Sequence, residues 1–339
     1  MRKNQWGVLA CIVLVAGFGA ISSEAADSEL FVPDMTDARF AEAAQVTAQP
    51  LNGLPIVPGF WTDLVNTESV AQDGEGVYVA VLDTGVVPQA PFFFSEANIA
   101  YGLGMGFSHD VYWDDAAQDI VIGPLRNDRG IVTDLASGHG THVASTVVGY
   151  NYNDQAWIQG VAPKATIIPV LVLDAWDVPT PFGNIQLSGG TDEMISAGIM
   201  YVADLAATLD GPVVINMSLG GPSRSAMIES AVDYAISQGV IVVASAGNNG
   251  SAGMGYPGGL QQIISAGMAG WAAMFTEGWT ANAPEKLNSK DVLGNNWQVF
   301  LEDGSSRPNK NLGQKHQDLD VSAPGAWIVG PYKSAFANN

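Results

Sequence analysis

The sequence predicts an α/β fold: a three-layer domain with a mainly parallel central sheet flanked by helices. Short apolar runs alternate along the chain with segments of helical periodicity. Such alternation is typical of the strand–helix–strand units that build parallel sheets. The runs are apolar on both faces of a strand, as expected for strands buried between two layers of helices. The predicted strands are 76–82, 165–173, 212–217 and 239–245, and the predicted helices are 191–209 and 225–238.

The composition limits the class of protein and its partners. The chain has 339 residues, of which 47% are hydrophobic and 14% are charged, so it can bury a sizeable core. Lys and Arg total 13 against 34 Asp and Glu, which gives a formal net charge of −21. Because a nucleic-acid-binding protein needs a basic surface to neutralise phosphates, we expect no nucleic-acid partner. The same charge argues against an anionic membrane surface as the main partner.

The first 26 residues are predicted to be a signal peptide. Arg2 and Lys3 precede an uncharged run, 6–21, which is short for a membrane span but suits a signal-peptide core. An uncleaved N-terminal anchor is the alternative. The only cysteine, Cys11, lies in this segment, so the mature chain would hold no disulfide and no Cys-bound metal. We therefore expect a secreted or periplasmic monomer without stable membrane association.

The remaining chain is predicted to hold a lead-in and one domain. Residues 27–70 are interpreted as a lead-in or short pro-segment, because its prolines interrupt any long helix. The domain covers 71–339. Two stretches, near 86–135 and 272–315, break the alternation of strands and helices and are interpreted as surface insertions.

Polar residues follow three of the predicted strands. Asp83, Ser218 and Asn248 come directly after or shortly after strand ends, and His139 opens a segment with a helical pattern. In open parallel sheets the active crevice lies beyond the carboxyl ends of the strands. A carboxylate can orient an imidazole, the imidazole can accept a proton from a nucleophile, and an amide can stabilise an oxyanion. The carboxylate of Asp83, the imidazole of His139 and the amide of Asn248 are therefore three parts of a hydrolytic site.

Six segments, in chain order, resemble the motifs of the subtilisin-like serine proteases, the subtilase family. The resemblance covers about 71–330 and implies a subtilisin-like fold and peptide-bond hydrolysis through an acyl-enzyme. It implies that Asp83 is the acid of the catalytic triad, His139 the base and Asn248 the oxyanion donor. The segments are Val-Leu-Asp-Thr-Gly-Val (81–86), Gly-His-Gly-Thr-His-Val-Ala-Ser (138–145), Gly160–Ala165, Asn216–Gly221, Ala-Gly-Asn-Asn-Gly (246–250) and Val321–Gly325.

The resemblance also implies the substrate class and the cofactor requirement. A protein or peptide substrate would add as an extended strand beside Ser218, Leu219 and Gly220. Gly220 and Gly247 lack side chains, so a substrate side chain could pass close to the backbone there. No cofactor is required for the chemistry and no metal ligand is assigned. Structural calcium is frequent in the family, but the sequence assigns no site, and the acidic cluster at 114–119 is better explained as a solvated loop.

The nucleophile of the family is missing from the sequence. It lies in a Gly-Thr-Ser-Met-Ala-type motif after the Ala-Pro-Gly segment, and the 339 residues contain no Gly-Thr-Ser. Ser334 has neither the glycine turn nor the following helix of small residues. We therefore expect a fragment of a secreted serine endopeptidase, incomplete at its C-terminus and inactive as given. The alternative is a non-catalytic pseudoprotease that binds peptides without cleaving them.

Overall fold

The computed structural model describes residues 53–133, 135–271, 299–326 and 328–332. In chain order the strands are β1 Ile56–Pro58, β2 Tyr78–Asp83, β3 Met105–Gly106, β4 Ser108–Asp114, β5 Asp119–Arg126, β6 Gly149–Tyr152, β7 Ala156–Gln159, β8 Thr166–Leu171, β9 Asp174–Thr180, β10 Gly183–Gly189, β11 Val213–Met217, β12 Ile241–Ser245, β13 Ile264–Trp271, β14 Val299–Leu301 and β15 Val321–Pro324. The α-helices are α1 Phe60–Leu64, α2 Ala90–Phe93, α3 His139–Val148, α4 Asp192–Ala206 and α5 Ala226–Ser237.

The centre of the fold is an eight-stranded sheet in the order β14–β13–β12–β11–β2–β8–β3, with β15 also paired to β13. The pairs of this sheet are parallel except β13 with β14. In the middle of the sheet Val81 of β2 is level with Asn216 of β11 and with Pro169 of β8. Since β2, β11 and β12 run in the same direction, their carboxyl ends meet at one edge of the sheet.

Helices cover both faces of this sheet, which confirms the predicted three-layer α/β architecture. Along β2, Val79 and Val81 pack into the apolar cluster that contains α3. Ala80 and Leu82 point the other way, into the cluster that contains α4 and α5. Fully burying an aliphatic side chain stabilises a fold by about 1.5–3 kcal/mol, so the two-sided apolar strands supply much of the stability.

The predicted strands and helices are confirmed to within a few residues at their ends. Hydroxyl side chains fix where the two long helices begin. Thr191 accepts a hydrogen bond from Met194 N before α4, and Ser225 accepts one from Ile228 N before α5. These N-caps satisfy amide groups that the first turn of a helix leaves without partners.

The range 86–135 differs from the expected surface insertion. Val86, Ala90 and Phe94 are buried and belong to the same apolar cluster as α3. The hairpin β4–β5 protrudes from this range, and it packs against a second hairpin, β9–β10. His109, which lies within this predicted surface insertion, is 6% exposed, with its Nδ1 2.8 Å from the Gly123 carbonyl oxygen.

The lead-in 27–70 and the predicted insertion 272–315 also pack against the domain, in the parts that the structure describes. Within the lead-in, β1 pairs in parallel with β7, and Trp61 is buried. Within 272–315, β14 pairs with β13, and Ser305 and Ser306 have no exposed surface. These parts therefore belong to the body of the domain. The predicted signal peptide, most of the lead-in, residues 272–298 and Ser334 lie outside the described residues. In the parts that the structure describes, no helix is long and apolar enough to cross a bilayer.

Candidate active site

A carboxylate and an imidazole are hydrogen-bonded at the sheet edge. Asp83 is the last residue of β2 and His139 the first residue of α3. The imidazole Nδ1 lies 2.9 Å from Oδ1 and 2.8 Å from Oδ2 of Asp83. The Asp83 side chain has no exposed surface and that of His139 is 14% exposed. A carboxylate can only accept here, so Nδ1 carries the proton, and a neutral imidazole then has its lone pair on Nε2.

Three further hydrogen bonds fix this pair to the turn after β2. Thr84 N donates to Asp83 Oδ1 at 2.7 Å, which holds the carboxylate from its backbone side. Gly140 N donates to Thr84 Oγ1 at 2.9 Å. Val87 N donates to Thr141 Oγ1 at 2.9 Å. The beginning of α3 is therefore bonded to the strand end that carries its carboxylate partner.

Two glycines allow α3 to approach β2 this closely. Gly138, just before the helix, has a left-handed φ of 80°, which side chains rarely adopt. A Cβ added at Gly140 would lie 2.4 Å from the Gly85 carbonyl oxygen and 3.1 Å from Asp83 Cβ. The glycine spacing of the 138–140 segment is therefore a geometric requirement of the Asp83–His139 contact.

The second histidine of α3 is a packed side chain rather than a ligand. His142 is 2% exposed, and its Nε2 donates to the Ile328 carbonyl oxygen at 3.2 Å. Burial lowers the pKa of His142 to about 4, so the ring is neutral near pH 7. Its ring makes an edge-to-face contact with Tyr332 at 5.9 Å between centroids. The pKa of Tyr332 is raised, mainly by burial and also by the charge of Asp83. A hydrogen bond with the Ser137 side chain acts in the opposite direction.

The segment after β11 lies at the same edge, next to the Asp83 strand. Asn216 Nδ2 donates to Ser218 Oγ at 3.0 Å, within the strand end. Ser245 Oγ donates to the Leu219 carbonyl oxygen at 3.3 Å, which ties this segment to β12. Ser218 and Leu219 are buried at 8% exposure each, whereas Gly220 is exposed. A backbone edge therefore emerges from the sheet beside the Asp83–His139 pair.

The loop after β12 completes this edge. Gly247 adopts a φ of 100°, and the following residue, Asn248, is exposed. Within the described parts of the chain, no other group is hydrogen-bonded to the Asn248 carboxamide. Asn249 N donates to Ser306 Oγ at 2.9 Å, so this loop is hydrogen-bonded to a segment far along the chain. The structure thus places Asn248 two strands away from Asp83, on the same edge of the sheet.

Metal-ligating residues do not gather at this edge. Across the ranges that the structure describes, no group of three or more His, Cys, Asp or Glu residues could hold a metal ion. In the acidic segment 114–119, Asp114 Oδ1 accepts from Ala116 N and Ala117 N, and Asp119 Oδ1 accepts from Ile120 N. These carboxylates are used to shape the turn of the β4–β5 hairpin.

Comparison with known proteins identifies the family. The model of the Subtilase family (Peptidase S8) matches residues 74–335. The chain belongs to the subtilase family. This subtilase is 30% identical over 278 residues to subtilisin from Bacillus sp. (strain TA39), which covers 79% of this chain and 55% of the relative. It is 27% identical over 263 residues to thermitase from Thermoactinomyces vulgaris, covering 78% of this chain and 68% of thermitase.

A solved structure gives the same result for the fold. The structural alignment with the S41 psychrophilic protease covers 77% of this subtilase and 70% of the protease chain. Its TM-score is 0.50 and the sequence identity is 27%. The subtilase spans little more than half the length of the subtilisin from strain TA39. The subtilisin-like fold predicted from the motifs is therefore confirmed.

Sequence reasoning missed several residues that shape the site of this subtilase. Thr84 stands within the Asp-Thr-Gly segment, and its hydroxyl acceptor role could have been suspected from its place beside Asp83. Ser306 gives no such signal, because it lies 57 residues from Asn249 in a range interpreted as a surface insertion. Tyr332 follows the last recognised motif and is placed near His142 only by the fold.

Proposed function

We propose that this subtilase is a serine endopeptidase, with Asp83 as the acid, His139 as the base and Asn248 as the oxyanion donor. The observation that carries the proposal is the buried carboxylate bonded through both oxygens to the imidazole Nδ1. The 339 residues hold no Gly-Thr-Ser motif, so we propose that they supply this machinery without its nucleophilic serine.

The geometry accounts for the proton transfers of the proposed reaction. With Nδ1–H donated to Asp83, the imidazole is held in the tautomer whose Nε2 can take a proton from an attacking hydroxyl. The charge that then forms on the ring is stabilised by the Asp83 carboxylate. The same Nε2 gives the proton to the leaving amine as the acyl-enzyme forms. Water attack on the acyl group, again with His139 as base, would release the acid product and restore the hydroxyl.

The segment after β11 supports a protein or peptide substrate. The backbone at 218–220 emerges next to the Asp83–His139 pair, and Gly220 adds no side chain there. An extended peptide could pair with such an edge through its main chain, while side chains provide preference. At Gly247, however, an added Cβ would lie 3.2 Å from Ser306 Oγ and 3.5 Å from Gly255 N, so the space expected there for a substrate side chain is occupied by the protein itself.

The intact pair favours a peptidase over a pseudoprotease that only binds peptides. Binding through a strand edge needs no imidazole held by a fully buried carboxylate. Such a carboxylate is costly to bury, and hydrogen bonds to Thr84 N and His139 offset that cost. A chain that only bound peptides would not need to bury a carboxylate beside an imidazole.

The remaining parts of the proposal concern environment and partners. Residues 1–26 have the pattern of an export signal, so we place the mature protein outside the cytoplasm, in the periplasm or the medium. The net charge of −21 fits protein substrates rather than nucleic acid, and we propose a monomer. The chemistry uses no cofactor; structural calcium, if bound, has no assigned site.

A fluorophosphonate probe that labels nucleophilic serines tests this proposal. The purified 339-residue chain should neither be labelled nor hydrolyse a casein substrate. Labelling that disappears in Ser334→Ala would show that Ser334 is a nucleophile and would contradict the proposal.

The gene provides the positive test. If its reading frame continues to a Gly-Thr-Ser motif, the product of that frame should be labelled and cleave casein. In that product His139→Ala should lower kcat by about 10⁴-fold or more. Asn248→Ala should lower kcat by about 10²–10³-fold with little change in KM. Full activity in His139→Ala would overturn the assigned roles.

A further inference from the structure

The segment 304–314 is hydrogen-bonded at several points to residues 246–254, the loop that follows β12 and carries Asn248 (the Asn248 loop). Gly250 N donates to the Gly304 carbonyl oxygen at 3.0 Å, and Arg307 N donates to the Gly250 carbonyl oxygen at 2.9 Å. Farther along, Gln314 exchanges two hydrogen bonds with the backbone of Met254, at 2.9 and 2.8 Å. The loop that carries the exposed carboxamide is therefore held by a distant part of the sequence.

Ser306 lies at the centre of this contact, directly against the residues on both sides of Asn248. Its N donates to the Gly247 carbonyl oxygen at 2.8 Å, and its Oγ accepts from Asn249 N at 2.9 Å. Ser306 has no exposed surface. A Cβ added at Gly247 would lie 3.2 Å from Ser306 Oγ, so the hydroxyl also fills the space beside the left-handed glycine.

We propose that Ser306 is a positioning residue that sets the direction of the Asn248 carboxamide. The carboxamide has no hydrogen-bonding partner of its own in the described ranges, so its direction depends on the backbone from Gly247 to Asn249. Ser306 bonds to both ends of that backbone unit. This inference rests on the proposed role of Asn248 as oxyanion donor and extends it to a second residue.

The neighbouring serine provides a matched control. Ser305 also has no exposed surface, and its Oγ accepts from Met268 N at 2.9 Å. That bond joins the segment to β13 and not to the Asn248 loop. Ser305→Ala and Ser306→Ala each delete one buried hydroxyl that accepts a hydrogen bond from a backbone amide. Only in Ser306→Ala does that amide belong to the Asn248 loop.

The first measurement is amide hydrogen exchange on the full 339-residue chain. A net hydrogen bond contributes about 0.5–1.5 kcal/mol, so Ser306→Ala should speed exchange within 247–250 by about 3–10-fold. Ser305→Ala should leave exchange there unchanged, and Ser306→Thr, which keeps a hydroxyl, should restore most of the protection. Equal protection of 247–250 in wild type and Ser306→Ala would overturn the proposal.

The second measurement reports on the carboxamide itself and needs no nucleophile. The peptide acetyl-Ala-Ala-Ala-Leu is titrated as the free acid and as the C-terminal amide, because a product carboxylate oxygen can occupy an oxyanion site. A hydrogen bond to a charged group supports a preference for the acid of about tenfold or more in Kd. Asn248→Ala and Ser306→Ala should both lose most of this preference, while Ser305→Ala and Ser306→Thr should retain it.

The outcomes separate the two proposals. If the wild-type chain binds acid and amide equally, or Asn248→Ala keeps the preference, the oxyanion role of Asn248 fails and the role of Ser306 fails with it. If Asn248→Ala loses the preference and Ser306→Ala keeps it, the oxyanion role stands and the positioning role of Ser306 is overturned. Loss of the preference in Ser305→Ala as well would also overturn it, because the effect would then belong to the whole segment.

Discussion

Replacing Gly140 with alanine tests whether close packing of α3 on β2 sets the contact between Asp83 and His139. Gly140 follows His139 directly, in the first turn of the helix. The added Cβ would lie 2.4 Å from the Gly85 carbonyl oxygen and 3.3 Å from Asp83 Oδ1. Ordinary contacts of a Cβ begin at about 3.4 Å, so the first turn would have to move by roughly 1 Å.

The expected change in the free energy of unfolding combines one stabilising and two destabilising contributions. Alanine favours a helix over glycine by about 1 kcal/mol, which alone would stabilise the variant. Overpacking against a backbone carbonyl costs about 1–3 kcal/mol. A shift of roughly 1 Å also weakens the 2.8 Å bond from His139 Nδ1, and bonds to charged groups contribute about 1.5–3 kcal/mol. We expect a net loss of about 2–4 kcal/mol in the free energy of unfolding.

Urea unfolding of wild type and Gly140→Ala measures this loss, and the NMR resonance of the His139 Nδ1 proton reports on the contact. Gly102→Ala is the matched control, because nothing lies within 4 Å of a Cβ added there. It should change stability by less than about 0.5 kcal/mol. A Gly140→Ala chain as stable as wild type, with the Nδ1 proton resonance unmoved, would refute the reasoning.

Three further substitutions test buried polar contacts and core packing in the domain. Burial lowers the pKa of His142 to about 4 in the folded chain, against 6.5 in the unfolded chain. Between these pH values the unfolded chain takes up a proton and the folded chain does not, so the free energy of unfolding is highest above pH 6.5 and falls as the pH drops toward 4. Relative to pH 7, wild type should therefore lose about 2–3 kcal/mol more than His142→Gln by pH 4.5 in urea titrations, and parallel pH profiles would contradict this. Asp174→Asn weakens the bonds to its buried carboxylate from Ser108 (2.8 Å) and Arg129 (3.0 Å); calorimetry should show a loss of about 1.5–3 kcal/mol, and an unchanged Tm would count against it. Ile215→Ala, at a fully buried position of β11, should cost about 2–5 kcal/mol in urea unfolding, and a cost below 1 kcal/mol would mean that the site collapses around the cavity.

The layered fold could be predicted because each central strand carries its own evidence. A strand such as β2 is apolar on both faces, and only a sheet covered on both sides makes that pattern favourable. The Thr191 and Ser225 caps mark helix starts in the sequence for the same kind of local reason. The Asp83–His139 contact was predictable from motifs, since the carboxyl end of a strand and the start of a following helix meet at one edge.

The contacts that hold the Asn248 loop were not predictable, because they are non-local. The pattern around Ser306 is polar and irregular, which is typical of an exposed loop, yet Ser306 is fully buried. Its burial depends on backbone partners at Gly247 and Asn249, and hydrogen bonds between irregular segments leave no periodicity in the sequence. The burial of His109, inside the predicted insertion 86–135, has the same cause: its ring nitrogens are hydrogen-bonded to Gly123 and Thr191, which no sequence pattern connects to it.

The register of the sheet explains why these separately held parts lie close together at one edge. Val81 of β2 is level with Asn216 of β11, which is level with Val243 of β12. Adjacent strands lie about 4.8 Å apart, so β2 and β12 are roughly 10 Å apart with the end of β11 midway between them. A group held beyond the end of β11 is then about 5 Å to the side of β2, whose last residue Asp83 bonds to His139, and of β12, which leads into the Asn248 loop. Because a slip of one residue turns every side chain to the opposite face, the apolar packing of these three strands also fixes the cleft.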